Sequence, residues 1–137
     1  MDSKGRVSVP APFRTEGDGK YYVKFGPDGA LLVYDEEGHE RMRARLEELD
    51  EFEAQARSVR RIFYSGMAQQ ECDDHGRIKL SSEMIKHAGL KTEVVLNGMA
   101  SYFEIWDKSK WDDEYAKSLM RFDRDMQDLR RRGKGQE

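Results

Sequence analysis

The chain has 137 residues, 37% hydrophobic and 37% charged, enough for one ordinary domain or two small intertwined ones with a modest core. No apolar run approaches the roughly 20 residues of a membrane span, no basic-then-apolar leader opens the chain, and the single cysteine, Cys72, suits a reducing cytoplasm. A net charge of −3 taken alone argues against a nucleic-acid partner, yet residues 1–24 carry five cations (Lys4, Arg6, Arg14, Lys20, Lys24) against three acids, so a basic face on an acidic protein stays open.

In chain order, the first feature is a polar Asp2-Ser3-Lys4-Gly5 turn, in which Asp can bond its own backbone and Gly tolerates a positive φ. A short alternating strand follows, with Val7 and Val9 facing one way and Ser8 the other. Pro10 and Pro12 restrict the next helix to a short or late one. Tyr21–Phe25 and Ala30–Tyr34 read as a hairpin joined by Gly-Pro-Asp-Gly. Glu36, Glu37 and Glu40 mark a solvated helix start. Met42, Leu46, Leu49, Ala56, Val59 and Phe63 then recur at helical spacing, a stripe expected to pack in the core or between repeats. Asp50 with Glu53 resembles a capping pair that splits this stretch into two helices.

The second half repeats the vocabulary. After a strand-like Met67–Cys72 comes an Asp73-Asp74-His75-Gly76 turn, then a strand with Ile78 and Leu80 on one side and Lys79 opposed. Ser82 is expected to cap a helix, Glu83–Ala88, that Gly89 ends. Glu93–Asn97 and Ser101–Trp106 form a second hairpin through Gly-Met-Ala. Asp107 or Ser109 would cap a last helix with Trp111, Tyr115, Leu119 and Phe122 on one side, and residues 130–137 are expected to be disordered.

These copies constitute an internal repeat. Asp2 to Val9 matches Asp73 to Leu80 at an offset of 71, and Phe25 to Asp35 matches Asn97 to Asp107 at an offset of 72. The boundaries are 1–45 for the first repeat, 46–66 for a helical connection, 67–112 for the second repeat, and 113–137 for the terminal helix and tail. The first copy lacks a counterpart of Met67–Cys72, so about one strand is expected to be missing from it, through truncation or a start at an internal methionine.

Asp2 with Arg6, and Asp73 with Arg77, are the groups with recognition chemistry. An arginine leaving a tight turn projects a planar fork suited to a guanine edge or a phosphate, with the aspartate holding it. The same residues also suffice for a plain hairpin with an internal ion pair, and both readings stand on the residues alone. His39, His75, His87 and Cys72 lack metal-ligand spacing. Ser81-Ser82 with His87 lacks a nucleophile elbow. No catalytic role, cofactor or small-molecule substrate is expected. Tyr34, Trp106 and Trp111 are read as packing groups.

The combination Asp2-Ser3-Lys4-Gly5-Arg6-Val7-Ser8-Val9-Pro10, Asp73-x-x-Gly76-Arg77, Ala88-Gly89-Leu90-x-x-Glu93-Val94-Val95-Leu96-x-Gly98 and Phe103-Glu104-Ile105-Trp106-Asp107 resembles the MraZ family, up to about Ala116. That family belongs to the AbrB/SpoVT/MazE superfamily of swapped-hairpin DNA binders. The resemblance implies an α+β fold of two swapped-hairpin, AbrB-like β-barrel units with intervening and C-terminal helices. It also implies a cytoplasmic, nucleoid-associated, ring-shaped homo-oligomer that binds double-stranded promoter repeats and represses the division and cell-wall gene cluster. Arg6, Lys4, Arg14 and Arg77 are then the expected DNA contacts, on turns shaped by Asp2, Gly5, Asp73 and Gly76. A different class of reading is an oligomeric adaptor that binds a protein partner and no duplex. The chain departs from the family pattern in its missing leading segment and beyond Met120.

Overall fold

The computed structural model describes residues 1–14 and 19–135, which divide into two compact units, residues 1–107 and 108–137. The chain is a mixed α and β structure, compatible with the α+β class. In the first unit β1 (Arg6–Ser8) is followed by a 3-10 turn at Ala11–Phe13, by β2 (Lys20–Phe25) and by β3 (Leu31–Tyr34). Two helices, α1 (Glu36–Glu47) and α2 (Ala54–Ser65), lead to β4 (Ala68–Glu71) and β5 (Arg77–Lys79). A short α3 (Ser82–Ala88) precedes β6 (Val94–Gly98) and β7 (Phe103–Asp107). The second unit is one long helix, α4 (Lys108–Gly135).

The strands make two sheets, a ribbon of β1 with β5 and an open five-stranded sheet in the order β4-β2-β3-β7-β6. No barrel closes among the described residues. Each of these pairings except the β2–β3 and β6–β7 hairpins joins one repeat to the other: β1 to β5, β2 to β4, and β3 to β7. The outer edge of β6 is unpaired among the described residues, whereas β2 is covered there by β4.

Alternation along the strands sends side chains to two layers. On one face Tyr21, Val23, Leu31, Val33, Phe103 and Ile105 pack against Val7, Val9, Ile78 and Leu80 from the ribbon and Met84, Ala88 and Leu90 from the α3 region. On the other face Tyr22, Leu32 and Tyr34 pack with Met42, Phe63, Met67 and Tyr102. Both faces of β2 and β3 are therefore covered, which is why these strands read as nearly continuous apolar runs.

Three local expectations need correction. Ser81, one residue earlier than expected, caps α3, its hydroxyl accepting from the Met84 amide, while Gly89 ends the helix in the left-handed region as expected. The Asp50–Glu53 pair makes no reciprocal cap. Asp50 Oδ1 accepts from the Phe52 amide in a local turn, and Glu53 stands at the N-cap without a side-chain bond. The Met42–Phe63 stripe is only partly interior. Leu46 and Ala56 are buried, but Val59 is 47% exposed, because the 48–53 turn breaks the helical phase between α1 and α2.

Lys24 lies among the aromatic residues of the helix-covered layer, only 1% exposed, with its Nζ 5.1 Å from the ring centre of Tyr34 and 5.0 Å from that of Phe63. Burial pushes its pKa down to about 8 despite the opposing pull of Glu40. The folded form binds the proton more weakly than the unfolded chain. Stability linked to Lys24 therefore rises as pH climbs from about 8 towards about 10.4 and is diminished at neutral pH. Lys24→Met is expected to stabilise the protein at pH 7 by about 1–3 kcal/mol, with the gain shrinking at pH 10, as thermal melts at the two pH values would show.

Candidate nucleic-acid interface

The two Asp-x-x-x-Arg motifs form the same turn twice. In the first, the Gly5 amide donates to the Asp2 carbonyl and the Asp2 amide to the Arg6 carbonyl; in the second, Gly76 and Arg77 do the same with Asp73. Asp2 Oδ1 accepts from the Lys4 and Arg6 amides at 2.9 Å each, and Asp73 Oδ1 accepts from His75 and Arg77 at 2.9 and 3.0 Å. Gly5 and Gly76 hold φ of +76° and +72°, a conformation that disfavours a side chain. In each case the second carboxylate oxygen takes the arginine Nε, at 2.7 Å for Arg6 and 2.9 Å for Arg77.

Pairing of β1 with β5 then sets the two turns against each other. Arg6 opposes Lys79, Val7 opposes Ile78 and Ser8 opposes Arg77. The Val9 amide donates to the Gly76 carbonyl and the Leu80 amide to the Gly5 carbonyl, both at 2.9 Å, so the repeats exchange equivalent bonds about a local pseudo-two-fold. Val7 and Ile78 point into the core, which turns Arg6, Ser8, Arg77 and Lys79 to the opposite side. Asp2 serves both motifs, since Arg77 Nη1 approaches its Oδ2 at 3.7 Å. An open groove of about 390 Å³ runs from Asp2, Arg6 and Arg77 to Val94 and Leu96 of β6.

Anchoring through Nε restrains each guanidinium and leaves the Nη1/Nη2 end of the Arg6 fork to meet an external acceptor pair. Lys4, Arg6, Arg77 and Lys79 outnumber Asp2, Asp73 and Asp74 by one on this surface. Lys79 was not among the residues singled out in the sequence. The signal was there, in its alternation against the core residue Ile78, but only strand pairing brings it opposite Arg6.

Arg14 sits elsewhere than expected. It lies over the second motif rather than beside Arg6, its Nε donating to the Val9 carbonyl at 3.0 Å and its guanidinium resting where a Cβ on Gly76 would come within 2.8 Å. Ile85 covers Gly5 in the corresponding way, 3.1 Å from the equivalent Cβ position. Arg14 thus closes the lid that an aliphatic residue closes in the other repeat, while its exposed end stays at the surface.

The carboxyl of Asp2 is drawn down to about 2, chiefly by the Arg6 amide, and Asp73 is lowered chiefly by that of Arg77. A depressed carboxyl contributes its stability above the unfolded pKa of about 3.9 and loses it as pH falls through the folded value. The Asp2 turn should therefore hold at pH 4 and loosen towards pH 2, with the Asp2 carboxyl titrating near 2 by NMR; a midpoint near 4 would contradict the bonds described.

Comparison with known proteins identifies the chain at the level of family. The family model described as "MraZ protein" matches residues 1–62 and again residues 63–132. A protein of Finegoldia magna named Transcriptional regulator MraZ is 37% identical over 123 residues, covering 90% of this chain and 86% of the relative. A protein of the same name from Lactobacillus johnsonii is 34% identical over 129 residues, covering 94% and 90%, and one from Nitrosomonas eutropha is 37% identical over 118 residues, covering 83% and 80%. With its two matched repeats and relatives aligned along most of both lengths, the chain belongs to the MraZ family.

Proposed function

We propose that this chain is a transcriptional regulator that binds double-stranded DNA through the outer side of the β1–β5 ribbon. A two-stranded ribbon fits the roughly 12 Å width of the major groove, and arginine forks suit guanine O6 and N7 there. Arg6 and Arg77 are assigned to base edges, and Lys4, Arg14 and Lys79 to phosphates. The observation that carries the reading is the juxtaposition of both Asp-anchored arginines on one ribbon with their supporting cores turned inward. Asp2, Gly5, Asp73 and Gly76 set the turns that aim them.

The wider reading follows family resemblance and the names of the relatives. The chain acts as a ring-shaped homo-oligomer of swapped-hairpin units on promoter repeats, and represses the division and cell-wall gene cluster. It works in the cytoplasm, associated with the nucleoid, without catalysis, cofactor or small-molecule substrate. Among the described residues, no helix is long and apolar enough to cross a membrane. An acidic chain reaches useful DNA affinity in such an assembly because several weak sites engage neighbouring repeats together.

Mobility-shift titrations on the region upstream of the protein's own gene test this. Arg6→Ala should lower specific affinity at least tenfold, in line with about 1–3 kcal/mol for a bidentate base contact, and leave the assembly's mass unchanged. Lys79→Ala should weaken binding to all duplexes alike and flatten the dependence of log K on log salt by about one. An unchanged bound fraction for Arg6→Ala removes it from the interface. Binding that ignores salt, or that captures a protein and no duplex, favours the adaptor reading.

A further inference from the structure

The interface just described uses none of the second unit. Its 28-residue helix continues through Arg130–Arg132 to Gly135, where a disordered end was expected; residues 136 and 137 lie outside the described part. The arginine run near its end complements the helix dipole, while its first turn carries Lys108 and Lys110 and no acid. Along it Tyr115, Leu119, Phe122, Met126 and Leu129 are all between 40% and 63% exposed.

Their spacing is what decides the partner. From Leu119 onward the steps are three, four and three residues, and Tyr115 stands four before Leu119. This is the a/d alternation of a heptad, with Leu119 and Met126 at a and Tyr115, Phe122 and Leu129 at d. It makes a narrow seam of the kind that suits another helix in knobs-into-holes packing rather than the wider stripe that faces a globular core. The flanking positions select both the partner and its direction. Asp125 falls at g and Arg130 at the following e, the two positions that meet across a parallel, in-register pair. A second copy therefore supplies five like-on-like apolar layers and two Asp125–Arg130 contacts related by symmetry. The antiparallel register that keeps Leu119, Phe122, Met126 and Leu129 in the seam instead sets Asp123 against Asp123 and Asp125 against Asp125. Sliding that register by one heptad places Asp112 opposite Leu129. Charge outside the seam is placed to avoid conflict, with Lys117, Arg124 and Arg131 at the outermost f positions.

We infer that the α4 helices of two copies of this chain form a parallel coiled coil through Tyr115, Leu119, Phe122, Met126 and Leu129. The seam spans only about two heptads, marginal for free helices in water, so it closes at the effective concentration that an assembly of whole chains supplies. The inference does not depend on the DNA reading. It adds to the chain a second contact between copies, placed on the terminal helix and not on the ribbon.

The test uses the full chain with Cys72→Ser as background. Met126→Cys should form a disulfide-linked dimer on mild oxidation at least tenfold faster than Arg124→Cys, which places the thiol on the outer face. Asp125→Arg should slow that cross-link, and Asp125→Arg with Arg130→Asp should restore it, a rescue that a general loss of folding would not give. Equal cross-linking at positions 124 and 126 overturns the proposal. So does cross-linking confined to a mixture of Phe122→Cys and Met126→Cys chains, which reports antiparallel helices. DNA binding measured on the same variants keeps the outcomes separate: a chain that binds its promoter but fails to cross-link defeats the coiled coil alone.

Discussion

Reciprocal pairing of two short strands holds this molecule together where it matters. Neither β1 nor β5 exceeds three residues, and neither would persist alone. Each is held by the other repeat: the Val9 amide on the Gly76 carbonyl, the Leu80 amide on the Gly5 carbonyl, with Val7 and Ile78 buried beneath. Because the exchanged bonds are to the glycines of the turns, the turn geometry and the strand register are one constraint. A change that tilts either glycine moves the opposite arginine as well as its own. Two arginines therefore share one rigid support, which restricts where side chains as long as these can place their guanidinium groups.

Around that ribbon the repeats have ceased to be equivalent. Ile85 covers one turn and Arg14 the other, so the same structural job is done by an aliphatic side chain and by a cation. Lys4 and His75 occupy matching places in the two turns. The sheet is asymmetric too, with β4 laid on β2 and the outer edge of β6 unpaired among the described residues. The first turn thus combines Lys4 with an apolar cover and the second His75 with a cationic one, although the backbone bonds of the two turns match one for one.

The helix-covered layer follows a different logic. Asp35 caps α1 through the Gly38 amide, Tyr22 donates to Glu36 at 2.7 Å, and His39 stacks on Tyr22 with ring centres 3.9 Å apart. Burial holds His39 below its usual pKa, as it does Lys24 next to it in the same layer. Titratable groups placed so deeply contribute little to stability. They fix how the helices sit on the sheet, the imidazole on the Tyr22 phenol for α1 and the amine between Tyr34 and Phe63 for α2.

Much of this was legible in the residues themselves. The repeat offset, the two Asp-x-x-Gly turns with positive φ at glycine, the inward Val7 and Ile78, both hairpins and the helix ended by Gly89 are local properties, governed by period, turn chemistry and capping over a few positions. Arg6 and Arg77 were visible as candidates for the same reason. Contacts between positions some 70 residues apart were not. That Lys79 faces Arg6, that Arg14 leaves the first motif to cover Gly76, and that Asp2 serves both arginines all depend on which strand pairs with which, and no local pattern encodes that choice. Val59 lay on an apolar stripe yet is exposed, because a short turn between α1 and α2 rotated the stripe away from the core. Local sequence determined what each segment is; only the assembled core decided which segments face each other, because burial is shared between distant parts of the chain.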